Sequence, residues 1–515
     1  MKTLKRLDGW ILQRAARAGF LLAYLILTYF VLWCGVSFLR HYYFHSSYDL
    51  AIQDQVVWNT AQGRLFSRSL EVTNDLADHV RLYLAFVSPM YLVIPSPYVL
   101  LGFQSFVLAL SAWPLYNLAR RKFDSPAIGL VAAFCALAYP PLGFLNRYDF
   151  HGEVVAIPLL IAAYERMDAG DLTRSSLFLA LALLGKENIG LTVAAFGLLA
   201  FLYHKHRRFG LAWTLSGLAY SLVALFVVIP AFRGAPSDTL ARYQWLGETP
   251  LEMLGNALSH PSLVLQKIAT VDHMVTLLQL LGPLAFLPLL SLPALLPAVL
   301  TLSYNFLAQW PSKAVIYYHY MAPAIPFISI AGVLGLHRLT TGPLRSDRVT
   351  GLGVSMMLAA TLASWAYQNP ITGNTFLSSV TISQGVQAAK DAPKAPQASI
   401  ILPNDAAIRE GLKRTPDDVY LLTTSNYLPH LSHRPQIKMI PRAPVSGLEP
   451  GVGAIFLNLK DLRWRSCDDY VESLKAAAGL GFGVVFYRDG VLLVQKDRGD
   501  SRKLKNLLDH WSGCT

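Results

Sequence analysis

Charged side chains are scarce in this 515-residue chain: Asp, Glu, Lys and Arg make up 15% of it, where a soluble domain carries roughly 25%. That shortfall excludes an ordinary soluble enzyme and an intrinsically disordered protein. Cysteine is scarcer still, with four in the whole chain, which excludes a disulfide scaffold. The local signatures of nucleotide and nucleophile chemistry are missing as well. There is no Walker A motif, no G-x-G-x-x-G ahead of a strand, no G-x-S-x-G and no H-E-x-x-H, so ATP-driven transport is not expected. No zinc-finger, RNP or helix-turn-helix signature accompanies the net charge of +12, and no internal repeat is visible.

Apolar surface takes the place of charge. Hydrophobic residues make up 53% of the chain and the mean hydropathy is +0.38, the profile of a polytopic membrane protein. The scarcity of charge is uneven: residues 1–379 carry 44 charged side chains and residues 380–515 carry 32. A membrane domain over 1–379 and a soluble domain over 380–515, long enough for a small core, are therefore expected. Seven stretches approach the length of a span: 19–40, 97–118, 125–145, 209–231, 273–290, 319–338 and 350–368. Four more are shorter: 152–166, 174–185, 188–204 and 292–308. The expected fold is mainly α, with about eleven spans, several needing tilt or a partner helix to cross, and a small α/β C-terminal domain. The first run is too long for a signal-peptide core and no small-residue cleavage site follows it, so it reads as a retained span.

Lys2, Lys5, Arg6, Arg14 and Arg17 place the N-terminus in the cytoplasm by the positive-inside rule. Alternation then brings Arg120-Arg121-Lys122, Arg166/Arg174, Lys205-His206-Arg207-Arg208 and Arg338/Arg345/Arg348 to the same side. The tail falls outside. The expected location is the inner (cytoplasmic) membrane, and the basic clusters face a bilayer rather than a nucleic acid.

Three segments fall outside on this count, 41–96, 232–272 and 308–318. Asp49–Gln62 reads as an amphipathic helix with Leu50, Val57 and Ala61 on one stripe, capped by Ser46 or Ser47 and ended at Gly63. The apolar run 82–94 is short for a span and suits a helix lying in the interface. In the tail, Val419–Thr423 and Ala454–Leu457 read as buried strands. Phe482–Gln495 reads as a hairpin turning at Asp489-Gly490, and Ala406–Arg414 and Asp468–Leu480 as helices. Residues 389–398 form a linker. Cys34 and Cys135 lie in apolar runs, while Cys467 and Cys514 in the tail form a disulfide in an oxidising compartment or stay as two thiols.

Ionisable groups at span ends or inside apolar runs are costly, and each needs a reason. Asp49 at the membrane surface suits a general base on an acceptor hydroxyl, or a metal ligand. The bland alternative is that an acid in the first turn of a helix gains about 0.3–1 kcal/mol. Asp78-His79-x-Arg81 suits a metal or a phosphate, or is a solvated loop. In Arg147-Tyr148-Asp149-Phe150-His151-Gly152-Glu153 the alternating Asp149, His151 and Glu153 face one way if the turn is extended. That donor set suits Mg, Mn or Zn; otherwise it is a charged loop joining two helices. Lys186-Glu187-Asn188 interrupts an apolar stretch over 176–203. A Lys at such a break suits a phosphate or pyrophosphate, or the Lys–Glu pair neutralises itself. Tyr317-Tyr318-His319-Tyr320 reads as an aromatic belt that leaves His319 unexplained. With this topology Asp49, His79, Asp149, His151, Lys186 and His319 fall near one leaflet, which points to a site for an anionic substrate at the outer membrane surface.

The order of these motifs is distinctive. Tyr48, Asp49, Asp54, Gln55 and Trp58 follow the first span. Asp78-His79 precedes the interfacial run, LARRKF ends a span at 118–123, and YDFHGE (148–153), LLGKEN (183–188) and SNYLPHLSHR (425–434) follow. This pattern resembles, over most of the chain, a prokaryotic family of multi-pass proteins of unknown function. That family is grouped with the GT-C glycosyltransferases, which use polyprenyl-phosphate-linked sugars. The resemblance implies inverting hexosyl or pentosyl transfer from such a donor to a glycan, lipid or protein acceptor outside the cytoplasm. GT-C enzymes place a catalytic Asp just after the first span, the place Asp49 occupies. In the oligosaccharyltransferase branch a second acidic motif helps hold a divalent metal. Asp149 and Glu153, with His151 between them, fall there at a different spacing, and other branches need no metal. A Mg or Mn ion on Asp49, Asp149, His151 and Glu153 therefore stays open. Lys186 matches the place where GT-C folds break helices near the lipid phosphate. His79, Arg81, Arg147, Glu187 and His319 join it as expected substrate or lipid-phosphate ligands. Asn426, His430 and Arg434 face the active site or pack their own helix. A lipid or solute transporter and a non-catalytic assembly protein are the alternatives; convergence of the ionisable groups on one cavity separates them from the enzyme.

Overall fold

The computed structural model describes residues 15–341, 346–371, 401–441, 447–461 and 468–510. Arg345, the linker 389–398, Cys467 and Cys514 lie outside the described residues. The chain divides into two compact units, one of Met1–Ser37, Leu76–Tyr83 and Leu101–Gln387, the other of Phe38–Asp75, Leu84–Leu100 and Ala388–Thr515. The second unit thus takes in two stretches, Phe38–Asp75 and Leu84–Leu100, that the composition step near 379/380 had grouped with the membrane domain.

Six helices among the described residues are long and apolar enough to cross a membrane: Arg17–Tyr42, Pro97–Phe123, Arg207–Arg233, Leu287–Leu307, Pro311–Thr341 and Asp347–Gln368. The pair Pro126–Leu137 and Pro140–Arg147, bent by 44°, makes a seventh if it counts as one span. Its bend falls at Pro140-Pro141, residues that open a helix but cannot continue one. The chain is therefore a multi-pass membrane protein. The remaining four of the eleven expected stretches form the helices Glu153–Asp168, Leu172–Leu183, Ile189–Leu202 and Val271–Leu281. The longest of these reaches about 24 Å, short of a bilayer core of about 30 Å.

In the first unit the basic stretches meet at one end. Arg121 pairs with Glu165 and Asp168, and Lys122 Nζ lies 2.6 Å from Asp168 Oδ1. Phe123 packs edge-on against His337 at 5.4 Å, and Tyr164 Oη lies 3.3 Å from His204 Nε2. These contacts join the ends of four separate helices.

At the break around Lys186 the chain is held by unusually close helix packing. Helices Ile189–Leu202 and Arg207–Val223 form a hairpin with glycines facing across the seam. A Cβ on Gly190 would come within 2.6 Å of Gly217 O, and one on Gly197 within 2.6 Å of Gly210 O. Only glycine lets the backbones approach so far, as at other small-residue helix contacts in membranes. This approach brings Ser221 Oγ to donate to Glu187 O at 2.7 Å, tying the second helix to the break.

The second unit is built on a five-stranded sheet of order β2-β1-β3-β5-β4. The strands are β1 Tyr420–Thr423, β2 Ile437–Met439, β3 Val452–Asn458, β4 Phe482–Arg488 and β5 Val491–Lys496. β1 runs parallel to β2 and β3, while β3–β5 and β5–β4 are antiparallel. The expected hairpin turns at Asp489 and Gly490, both at positive φ (48° and 81°), as a two-residue turn between twisted strands demands. Side chains alternate across the sheet. Leu421, Phe456 and Leu493 pack on one face with Ile408 of the helix Asp405–Arg414, and on the same face with Ala51 and Ile52 of Tyr48–Ala61. Leu422, Ile455 and Leu492 pack on the other with Tyr470 and Leu474 of Asp468–Gly479 and Leu504 of Ser501–Asp509. β2, the short helix Leu428–Leu431 and the last helix were not visible in the sequence pattern.

Gly217→Ala is expected to lower the stability of the detergent-solubilised protein by about 1–3 kcal/mol through overpacking. Gly255→Ala, where an added Cβ meets nothing within 4 Å, leaves the melting temperature unchanged or slightly raised. Thermal unfolding of both variants checks this.

Candidate functional site

The first unit gathers most of the expected site residues around one ion pair. Glu153 opens its helix and Lys186 lies in the break between Leu172–Leu183 and Ile189–Leu202. Lys186 Nζ donates to Glu153 Oε1 at 2.9 Å, and both side chains are buried. His319 Nε2 stands 3.8 Å from the same oxygen. The His151 ring stacks on His319 at 3.8 Å, with Tyr148 stacked on His151 at 5.0 Å. Gln104 holds this turn in shape: its Nε2 donates to Asn146 O and Tyr148 O, and its Oε1 accepts from the His151 N–H. Next to Lys186, Glu187 carries its own partner, with His79 Nδ1 2.9 Å from Oε1 and the Val80 N–H donating to Oε2 at 3.0 Å. Arg81 is buried and within range of the Lys186 charge. Arg147 ends the helix Pro140–Arg147 beside this turn, half-buried.

Two cations that sequence reasoning missed belong to the same cluster. Lys313 is buried, with Nζ 4.4 Å from the Tyr320 ring centroid, and feels the charges of Lys186, Glu153, Glu187 and Arg242. The Arg242 guanidinium stands 4.7 Å over the Trp310 ring. Both fall in segments expected as loops, Lys313 close to the aromatics of 317–320, which suggested only an interface belt, and Arg242 in a stretch of ordinary polar composition. Arg81, Lys186, Arg242 and Lys313 stand together in this region with the carboxylates of Glu153, Glu187 and Asp78, the last 3.7 Å from His79 Nε2. Basic side chains gathered so closely suit an anionic ligand.

Asp49 belongs to the second unit. It stands half-buried in the first turn of Tyr48–Ala61. That helix was expected to be amphipathic, but Gln53, Asp54 and Gln55 are as buried as Leu50 and Val57. The reason is the tail motif 425–434, which covers its polar side. Ser425 Oγ accepts from the Tyr48 N–H at 3.2 Å, and Asn426 Nδ2 donates to Phe44 O at 2.8 Å. Asp54 accepts from the hydroxyls of Tyr91 and Ser432, and His433 Nε2 lies 2.9 Å from its Oδ2. Trp58 stacks on His433, and Gln55 Nε2 donates to Arg434 O at 3.1 Å. Asn426 and Arg434 therefore serve this packing. So does His430, stacked on His41 at 4.1 Å. Burial holds the His430 imidazole well below its usual range, helped by repulsion from its neighbours His41 and Arg409. Burial likewise brings the Arg434 guanidinium down to about 10, against the opposing pull of Asp417 and Asp418. The Asp54–Ser432–His433 link joins positions nearly 380 apart in the chain, and no local spacing could announce it.

The metal candidates do not form a ligand set. Glu153 Oε1 is engaged by Lys186, and the His151 Nδ1–H donates to Asp149 O at 2.6 Å. Among the described residues no three His, Cys, Asp or Glu side chains are gathered to hold an ion. The residues present do not fit a divalent cation.

A family model described as a predicted membrane protein (DUF2079) matches residues 40–493. No curated relative matches the chain. Among solved structures, the chain is similar to ArnT from Cupriavidus metallidurans bound to undecaprenyl phosphate. That match has 12% identity and a TM-score of 0.48, covering 95% of this chain and 98% of that one. The same protein in the apo state matches at 12% identity and a TM-score of 0.46, covering 90% and 97%.

Removing one partner of a buried ion pair leaves the other charge uncompensated. Lys186→Met is expected to destabilise the protein by about 3–5 kcal/mol. The double variant Glu153→Gln/Lys186→Met recovers most of that loss. A double-mutant cycle by thermal unfolding in detergent measures it; simple additivity contradicts the pairing.

Proposed function

The chain belongs to the DUF2079 family of predicted membrane proteins, and we propose that within it this protein is a glycosyltransferase. It moves a sugar from a polyprenyl-phosphate-linked donor to an acceptor outside the cytoplasm. The observation that carries the reading is the gathering of Lys186, Arg81, Lys313 and Arg242 around the buried Glu153–Lys186 pair. A lipid-linked phosphate suits that group: its headgroup brings negative charge while its chain stays in the bilayer. The basic helix ends gathered at one pole of the first unit agree with an inner-membrane protein whose N-terminus is cytoplasmic.

In this reading Asp49 takes the proton from the acceptor hydroxyl as the oxygen attacks the anomeric carbon. The bond from that carbon to the phosphate oxygen breaks with inversion, and the polyprenyl phosphate leaves with the electron pair. Lys186, Lys313 and Arg81, with Arg147 and Arg242, stabilise the charge that develops on the leaving phosphate, as preorganised cations do. His79 and Glu187 brace the Lys186 break, and His319 and His151 line the approach to Glu153. The tail motif serves the reaction indirectly, by fixing the helix that carries Asp49.

General-base assistance contributes roughly 10²–10⁴-fold, and Asp49→Asn is expected to slow turnover by that factor without changing the amount of folded protein. The check is a lipid inventory by mass spectrometry in a deletion strain. The strain accumulates a polyprenyl-phosphate sugar, the wild-type chain clears it, and Asp49→Asn does not. Full clearance by the variant removes Asp49 from the mechanism.

A further inference from the structure

A groove of about 410 Å³ in the first unit takes no part in the site above. It runs between the helices Ala112–Phe123, Glu153–Asp168 and Leu172–Leu183. Its walls are apolar, with Leu110, Trp113, Val155, Pro158, Leu159 and Phe178 among them. Its charged groups sit at one end: Glu165, Arg166 and Arg174.

Two features of the groove select an occupant. The first is length. Along one wall it runs from Val107 to Asn117, and along another from Val155 to Arg166. At 1.5 Å per helical residue these runs measure about 15–16 Å, the depth of one leaflet in a hydrocarbon core of about 30 Å. The second is charge. The polar end coincides with the pole where Arg121 and Lys122 meet Glu165 and Asp168. Arg120, Arg121, Lys122, Arg166 and Arg174 there outnumber Glu165, Asp168 and Asp171. Arg166 Nε is 2.5 Å from Glu165 Oε2 and Arg174 Nη1 is 3.2 Å from Asp171 Oδ2. Each guanidinium carries five N–H donors, more than one carboxylate engages.

We propose that this groove holds one acyl chain of an anionic phospholipid, with the lipid phosphate on Arg166 and Arg174. The site is separate from the proposed donor site. A polyprenyl phosphate seated with its phosphate at the proposed donor site presents only an uncharged tail elsewhere, and such a tail makes no use of the Arg166–Arg174 guanidinium pair.

Native mass spectrometry of the purified full chain, titrated with phosphatidylglycerol or phosphatidylcholine of matched acyl chains, tests this. The wild type is expected to retain phosphatidylglycerol preferentially. Arg166→Ala/Arg174→Ala is expected to weaken that retention by roughly 25-fold, about fivefold per guanidinium, with phosphatidylcholine unaffected. Ala162→Phe fills the groove without touching a charge, and is expected to weaken retention of both lipids while the melting temperature holds. Equal retention of the two lipids by the wild type overturns the proposal, as does unchanged phosphatidylglycerol binding in both variants. Competition by polyprenyl phosphate that depends on Arg166 and Arg174 also overturns it, by giving the groove to a different lipid.

Discussion

An ionised group taken into an apolar interior loses several kcal/mol of hydration unless other groups replace the water. That constraint organises the first unit. Glu153 and Lys186 are buried and meet at 2.9 Å. Glu187, one residue on, is met by His79 and by the Val80 N–H. The two acids thus draw three distant segments, 78–81, 151–153 and 186–188, to one place. The glycine seam behind them holds the break in position, because Ser221 reaches the Glu187 carbonyl only when the helices approach to glycine distance. Beside these matched acids, Arg81, Lys313 and Arg242 bring further basic side chains to the same region.

The second unit solves a related problem. Asp54 is fully buried and satisfied by two hydroxyls and an imidazole, two of these three from the tail motif. A carboxylate so enclosed fixes the register of its helix against the sheet, because a slip of one residue strands it without partners. Asp49 stands five residues earlier on the same helix, and the Tyr48 N–H beside it is itself bound by Ser425. The C-terminal portion of the chain is therefore more than an appended domain: it clasps the segment that carries the proposed base.

How much of this could be read in advance depends on the distance over which each signal acts. Strands β1 and β3, the β4–β5 hairpin and two tail helices follow from local periodicity and from the Asp489-Gly490 turn, and they lie where the pattern put them. The apolar runs were visible for the same reason, although four of them fold as helices too short to cross, because hydropathy reports burial as readily as exposure to lipid. Lys186, Glu187, Glu153, His79 and His319 stood out as charges or imidazoles in apolar surroundings, and they do come together. Asp54 and His433 stood within quoted motifs but were given no role, since nothing in their local surroundings pairs the one with the other. Lys313 was hidden among aromatics, and Arg242 lay in a loop with ordinary polar composition. The amphipathic reading of residues 49–62 missed its polar cover because that cover comes from a motif more than 370 positions away.

The central claim is that the cation cluster around Lys186 holds the phosphate of a polyprenyl-linked lipid. A cryo-EM structure of the full chain with polyprenyl phosphate bound tests it most directly. The account predicts phosphate oxygens at charge-assisted hydrogen-bond distance, about 2.7–2.9 Å, from Lys186 or Lys313, with the isoprenoid chain leaving between helices into the bilayer. A phosphate seated elsewhere, with Lys186 still closed on Glu153 and Lys313 untouched, contradicts it.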